Sequence, residues 1–433
     1  MSIDLLLNFI FTASLLVFIF TAYKKTIWAI AAIITLLPSY LWRFNILGMP
    51  TTFLELMIVL LFIIWLIKEK RYKKINFFLK RKSENQVPYK LRLLLSVWIL
   101  ASVLAWLVNP TYSALGLWRA YFLEPIMFFL VFIYTVKDKE DIKIIINGLG
   151  LLLAWLFVVA MYQNFTDWNY IAAYNFPHAK RLTAVFSYPN ALALISAPIS
   201  IFFLSLWLMI KNKGRNWHYL LLGILGVSLS YFAVSEGAML AMLAAIFIWL
   251  ILAKKTRKWG ILLACLALSV IILFLPNSFY QLFSPGKGLD ISSLEIRSWQ
   301  WRETLAMLKD NFVLGSGLNG YQVAMNNYHR IDWIEIYLYP HNIFLNFWTE
   351  MGLLGLFGFL GLLAYIYYIL KKILADKNIF AWPLILAWLT WFIHGLVDVP
   401  YFKNDLSILF FILLAFSLFV YKNKKDGGFE KIF

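Results

Sequence analysis

The chain has 433 residues, 62% of them hydrophobic, 18% aromatic and only 14% charged, with a mean hydropathy of +0.75. That balance excludes a soluble globular domain. The formal net charge of +17 sits in clusters beside apolar runs, which reads as a topology signal and excludes nucleic acid as the partner, leaving anionic membrane lipid.

Apolar runs near the length of a bilayer span follow one another at 3–22, 26–42, 53–67, 91–108, 119–136, 143–162, 185–210, 217–234, 238–253, 259–275, 352–370, 379–397 and 405–421. The expected count is twelve or thirteen, because the second run is short and contains Pro38. The runs are too long for barrel strands and lack their alternation, so the fold class is all-α, a polytopic transmembrane helical bundle. The first run has neither a basic n-region nor a small-residue cleavage site and reads as a retained span. Cys265 is the single cysteine and lies in an apolar run, which excludes intrachain disulfides.

Basic residues mark one side. Lys24 and Lys25 follow the first run; Lys68, Lys70, Arg71, Lys73, Lys74, Lys80, Arg81, Lys82, Lys90 and Arg92 separate the third from the fourth. Lys254, Lys255, Arg257 and Lys258, then Lys371 and Lys372, then Lys422, Lys424 and Lys425 complete the pattern. With these inside, residues 109–118, 163–184, 235–237, 276–351 and 398–404 are expected outside. The division is 1–275, an N-terminal transmembrane bundle; 276–351, a large outer loop; and 352–433, C-terminal helices with a basic tail. The loop carries turn signals, SPGKG (284–288) and GSGLNG (315–320). It also carries EIRSWQWRETLAMLKD, in which Ile296, Trp299, Leu305 and Leu308 follow helical spacing, as in a helix lying on the membrane surface.

The outer side should be poor in cations, yet Arg119, Lys180, Arg181, Arg297 and Arg302 fall there. An anionic ligand explains such a group, since a guanidinium is a permanently charged fork of donors suited to phosphate oxygens. Local ion pairs or headgroup contacts are the alternative, favoured for Arg302. Arg181 precedes a run containing Pro189 and Asn190, where Pro189 opens the helical ladder and Asn190 caps freed groups. Arg119 lies five residues before Glu124, and a carboxylate at that depth is neutral or paired, Arg119 being the first candidate partner. Glu236 reads equally as a turn residue or as an acid facing the same cavity.

HNIFLNFWTEMGLLG (341–355) places His341 and Asn342 at the outer mouth of a span, with Gly352 and Gly355 on one helix face for close helix packing. A neutral imidazole there can take a proton from a hydroxyl or donate to a phosphate oxygen; an interfacial cap is the alternative. His394 and Asp398 stand one turn apart at the end of the next run, spaced to pair on a helix face. No metal-ligand motif such as HExxH, DxD or an EF-hand loop is present, so no metal or other cofactor is expected.

The His, Asn, nine-residue spacer, Gly, two residues, Gly pattern of 341–355 resembles the O-antigen ligase and O-antigen polymerase superfamily. RSWQWRETLAMLKDNFVLGSGLNGY (297–321) looks like that family's Arg, Trp and G-x-G segment, and the resemblance spans 181–405. It implies a GT-C-like, metal-independent, inverting membrane glycosyltransferase that takes a glycan from a polyprenyl diphosphate. The acceptor is lipid A core in ligases, a second lipid-linked glycan in polymerases and a protein in related enzymes. The implied location is the inner membrane with the site facing the periplasm or exterior. By match, Arg297 and His341 carry over as diphosphate-holding and catalytic residues, followed by Arg181 and Asp398. Many members have an Arg after the Ser of the short outer turn; here Glu236 follows Ser235, leaving Arg119 or Arg181 to supply that charge. The competing class is a transporter or flippase of lipid-linked sugars, which predicts polar residues along the whole depth of the bundle.

Overall fold

The computed structural model describes residues 3–46, 48–68, 87–169, 180–253, 256–258, 260–262, 293–330 and 334–423. Most of the run 259–275 with Cys265, the SPGKG turn, Trp333, Lys254, Lys255, Lys70, Arg71, Lys73, Lys74, Lys80, Arg81, Lys82, Lys424 and Lys425 lie outside the described residues.

The architecture is an all-α bundle with one small hairpin. In chain order come α1 (Ile3–Lys24), α2 (Thr26–Thr35), a 3-10 turn (Leu37–Leu41), and antiparallel β1 (Arg43–Ile46) and β2 (Met49–Thr52). Then follow α3 (Phe53–Lys68), α4 (Tyr89–Val108), α5 (Tyr112–Trp118), a π turn (Arg119–Leu123), α6 (Glu124–Thr135), α7 (Lys139–Thr166), α8 (Pro189–Met209), α9 (Trp217–Phe232) and α10 (Glu236–Leu252). After these come α11 (Ser293–Asp310), α12 (Tyr321–Met325), α13 (Ile343–Ala375), α14 (Ala381–His394) and α15 (Asn404–Lys422).

Among the described residues six helical segments are long and apolar enough to cross a bilayer: Tyr89–Val108, Tyr112–Thr135, Lys139–Thr166, Pro189–Met209, Ile343–Ala375 and Asn404–Lys422. Shorter apolar helices accompany them, and the chain is a multi-pass membrane protein. Helix α15 is buried on every side from 405 to 420, which is the mark of a helix at the centre of a bundle. Around it α8 packs on α9 and α14, α13 on α4, α2 on α7, and α6 on α15. Polar side chains join neighbours within this apolar interior: Ser196 meets Ser230 at 3.1 Å between α8 and α9, and Trp388 Nε1 donates to Ser417 Oγ at 3.1 Å between α14 and α15.

Two expected spans differ in form. The run 26–42 is helical only to Thr35, because Pro38 heads the 3-10 turn that follows and cannot donate to a continuing α ladder. The run 352–370 belongs to a helix that begins earlier, at Ile343, and is broken at Gly352 (φ +63, ψ −167), a conformation that glycine alone adopts readily. The break admits the GSGLNG loop: Ser316 N and Oγ both donate to Thr349 O, at 2.7 and 3.0 Å, and Leu353 N donates to Val313 O at 2.9 Å. A side chain on Gly352 would strike Val313 O, and one on Gly315 would strike the carbonyls of Trp348 and Thr349. Gly352 therefore accommodates a loop and not a neighbouring helix, which corrects the close-packing reading; Gly355 faces Met351 of its own helix.

The connections opposite the basic loops converge on one face. Arg119 Nη2 donates to Pro50 O (3.1 Å), Asn109 Nδ2 to Leu318 O (2.9 Å), Arg181 Nε to Ala233 O (3.0 Å) and Asn342 Nδ2 to Leu396 O (2.9 Å). At the other end Lys68 Nζ donates to Tyr23 O at 3.0 Å.

Candidate active site

The amphipathic stretch forms α11, but its buried stripe is Gln300, Thr304, Met307 and Leu308, while Leu305 stays 44% exposed. The stripe is half polar because it binds backbone and tyrosine: Thr304 Oγ1 lies 2.8 Å from Tyr321 Oη, Gln300 Nε2 donates to Tyr339 O (2.8 Å) and Trp301 Nε1 to Pro340 O (2.8 Å). Helix α11 thus holds the backbone immediately before His341. On the other side Ile343 N donates to Gly395 O (2.8 Å). Asn342 caps α13, its Oδ1 accepting Phe344 N (3.0 Å) and Leu345 N (3.1 Å), while its Nδ2 holds Leu396 O. Gripped from both sides, His341 takes a left-handed backbone, φ +45. Ala184 (φ +50) and Val234 (φ +49) do the same in the two segments that Arg181 joins. Each such residue costs on the order of 1–3 kcal/mol and persists only where its surroundings over-determine it.

The His341 ring stands between Tyr337 and Tyr339, with centroids at 5.2 and 5.1 Å in edge-on contact. Its Nδ1 lies 3.4 Å from Asp398 Oδ1, a long contact of the kind that tightens on substrate binding. Asp398 Oδ2 accepts Asn190 Nδ2 (3.2 Å), and Asn190 Oδ1 accepts Arg181 Nη2 (3.2 Å). One polar chain therefore runs Arg181, Asn190, Asp398, His341. Burial alone raises the Asp398 carboxyl; His341, by hydrogen bond and charge, with His394 and Arg297, holds it well below the usual carboxylate range.

This chain opens on a cavity of ≈ 490 Å³, a size that holds a ligand headgroup, whose lining includes Arg181, Asn190, Arg297, Tyr337, Tyr339 and His341. Among the described residues Arg297 makes no hydrogen bond or ion pair, so its guanidinium is free to meet a ligand. The other outer cations have local partners or solvent: Lys180 pairs with Asp167, and Arg302 is exposed.

The remaining expected site residues lie elsewhere. Arg119 is not at this cavity; it pairs with Glu55 (Nη2 to Oε2, 2.6 Å) and Glu124 (Nε to Oε1, 2.9 Å) and lines a second cavity, which answers where the Glu124 charge goes. Glu236 is an exposed residue in the first turn of α10 and does not line the His341 cavity. His394 is buried and its charge acts on Asp398, but α14 ends there and 395–398 leaves the helix, so the side-chain contact of Asp398 is with His341 and not with His394 on a helix face. Pro189 opens α8 at its first turn, where no ladder is broken, so Asn190 caps nothing and instead joins Arg181 to Asp398. Among the described residues no three or more His, Cys, Asp or Glu side chains are grouped to hold a metal ion.

Residues 221–360 match the family described as O-antigen ligase. The match runs from α9 into α13 and contains Arg297 and His341, while Arg181 and Asp398 lie outside it. It covers both 297–321 and 341–355 and supports their resemblance to the O-antigen ligase superfamily, and with it a ligase- or polymerase-type enzyme. No curated protein matches the chain. Against the O-antigen ligase segment the structure adds what spacing could not: Asn190 from α8 and Asp398 from the 395–403 loop complete the surroundings of its histidine.

Proposed function

We propose that the protein transfers a glycan from a polyprenyl-diphosphate carrier to an acceptor hydroxyl, at the face of the cytoplasmic membrane opposite the basic loops. The observation that supports this reading is Arg297, which makes no hydrogen bond or ion pair among the described residues, facing the same cavity as the His341, Asp398, Asn190, Arg181 chain.

Arg297, with Arg181 beside it, meets the diphosphate and stabilises the charge that develops as the carrier departs, an electrostatic role for fixed donors. His341 takes the proton from the acceptor hydroxyl, whose oxygen attacks the anomeric carbon from the side opposite the leaving diphosphate, inverting it. Asp398 stays ionised, holds the proton of His341 on Nδ1 and so leaves Nε2 as the base. Asn190 keeps Asp398 and Arg181 in register. The arginines supply the positive charge that the step requires, and the reaction is metal-independent. The acceptor is lipid A core, a second lipid-linked glycan or a protein hydroxyl.

The test is His341→Ala and Arg297→Ala in purified protein with a synthetic polyprenyl-diphosphate oligosaccharide, following both glycan transfer and release of polyprenyl diphosphate. Transfer is expected to vanish in the first variant and to need far more donor in the second. Wild-type rates in both, with unchanged melting temperatures, refute the mechanism, and donor translocation without cleavage supports the flippase class instead.

A further inference from the structure

Helix α8 starts at the His341 cavity with Asn190 and ends at the opposite face, where the loop to α9 is basic. At that end a separate cavity of ≈ 250 Å³ lies among four helices, with Trp207 and Leu208 from α8, Leu220 from α9, Ile246 and Trp249 from α10, and Leu386 from α14 in its wall. No Asp or Glu lines it. Leu208 is 41% exposed on a membrane-spanning helix, so the cavity is a groove that opens toward lipid.

The wall is not purely aliphatic. Trp207 Nε1 and Trp249 Nε1 are both buried, and neither has a hydrogen-bond acceptor among the described residues. An indole N–H only donates, and two of them unmatched beside one groove ask for an acceptor from outside the chain. Over this wall the ammonium of Lys213 stands 4.9 Å from the Trp207 ring. Lys213 belongs to the exposed stretch KNKGR (211–215), which adds Lys211 and Arg215, and no Asp or Glu occurs anywhere in 168–235. Beyond the other wall Arg257 closes the end of α10, its Nε donating to Ile251 O at 3.2 Å. Cations, unmatched donors and apolar surface thus follow one another down a single groove, and one ligand class answers all three. In a glycerophospholipid of net negative charge the phosphate meets the cations, the ester carbonyls accept without donating, and the acyl chain lies against Leu and Ile. A polyprenyl phosphate supplies the charge but has no ester oxygen to meet the indoles.

We infer that the groove among α8, α9, α10 and α14 binds an anionic glycerophospholipid of the leaflet on the basic side, its chain between the helices and its headgroup at Lys213 and Arg215. The inference does not depend on the proposed transfer reaction, because the groove lies at the end of α8 away from Asn190 and shares no lining residue with the His341 cavity.

The experiment is native mass spectrometry of detergent-purified full-length protein, following lipid retained on titration with phosphatidylglycerol and with phosphatidylcholine of the same chains. Lys213→Gln combined with Arg215→Gln removes two cations from exposed positions, and Leu208→Trp fills the groove from its exposed edge. Lys24→Gln, an exposed cation in the last turn of α1 on the same face, controls for general attraction to anionic lipid. A headgroup cation contributes about fivefold in affinity, so the double variant should hold phosphatidylglycerol at least about tenfold more weakly than wild type. Leu208→Trp should lose it to a similar extent, Lys24→Gln should match wild type, and phosphatidylcholine should bind wild type more weakly than phosphatidylglycerol does. Equal phosphatidylglycerol retention in wild type and both groove variants overturns the inference, as does an equal loss in Lys24→Gln or equal retention of the two lipids by wild type. Competition separates the sources of the phosphate. Displacement of the lipid by free glycerol 3-phosphate would leave only a headgroup site, and displacement by an equal amount of polyprenyl phosphate would give the groove to that carrier; either result overturns the assignment, and persistence of the lipid against both supports it.

Discussion

Replacing Asp398 by Asn changes one atom and places two demands that an amide cannot meet together. Oδ1 accepts Val399 N at 2.8 Å and faces His341 Nδ1 at 3.4 Å, while Oδ2 accepts Asn190 Nδ2 at 3.2 Å. Both positions need acceptors, and the substituted amide has one. With its oxygen toward His341, its amide nitrogen meets that of Asn190; turning Asn190 to relieve the clash turns its nitrogen on Arg181 Nη2, which now donates to Asn190 Oδ1. With its nitrogen toward His341, Val399 N loses its acceptor and the imidazole proton moves to Nε2, removing the lone pair that would serve as base. One buried donor without an acceptor costs about 1–3 kcal/mol, and the lost charge-assisted support of the imidazolium about 1.5–3 kcal/mol. The first is a cost in stability; the second acts on the barrier, and at roughly 1.4 kcal/mol per tenfold it lowers turnover about 10–100-fold. Donor affinity should change little, because Arg297 is untouched. The assay is single-turnover transfer from a fluorescent polyprenyl-diphosphate oligosaccharide in nanodiscs. A variant with a wild-type melting temperature and a rate within about threefold of wild type would show that Asp398 does not position the base. The pH dependence has a definite sign as well. A carboxyl held below its unfolded value stabilises the fold fully above about pH 4 and loses that contribution as pH falls through its own lower pKa. The stability difference between wild type and Asp398→Asn should therefore shrink as pH falls below about 4.

Arg297→Ala should raise the donor KM about 10–100-fold while leaving the melting temperature within about 2 °C, since among the described residues no hydrogen bond or ion pair is lost, and Arg297→Lys should fall between because it keeps charge without the fork. Arg119→Ala should behave oppositely, destabilising by about 3–5 kcal/mol because Glu55 and Glu124 are left buried without their cation; adding Glu55→Gln and Glu124→Gln should recover stability in denaturation experiments, and no recovery would refute the ion-pair account. Gly352→Ala should cost about 2–4 kcal/mol by thermal unfolding, from its glycine-only backbone and the collision with Val313 O, whereas an alanine tolerated there would mean that the break in α13 is dispensable.

The bundle is legible in the sequence because hydrophobic runs and basic loops are local signals that each segment carries by itself. His341 and Arg297 are legible for a similar reason: one sits in a spaced motif, the other is a cation on the side where cations are scarce. Asn190 is not, since a Pro-Asn pair at the edge of a run looks the same whether it breaks a helix or starts one. Asp398 points to His394 by spacing, because i and i+4 share a helix face; only the end of α14 at His394 shows that the loop carries it to His341 instead. Gly352 reads as a packing residue because small residues serve both purposes, and the loop that enters its break comes from some thirty-five residues upstream.

The grip that α11 exerts on Tyr339 and Pro340 is made through their carbonyl oxygens. Every residue type has such an oxygen, so the anchoring survives a change of side chain at 338, though not at 337, whose ring stands against His341. Position 339 is less free, because its hydroxyl meets Tyr188. Leu338, a wall position, can thus drift while His341 keeps its place, giving the scaffold a means to change which sugar it accepts without rebuilding the machinery that transfers it.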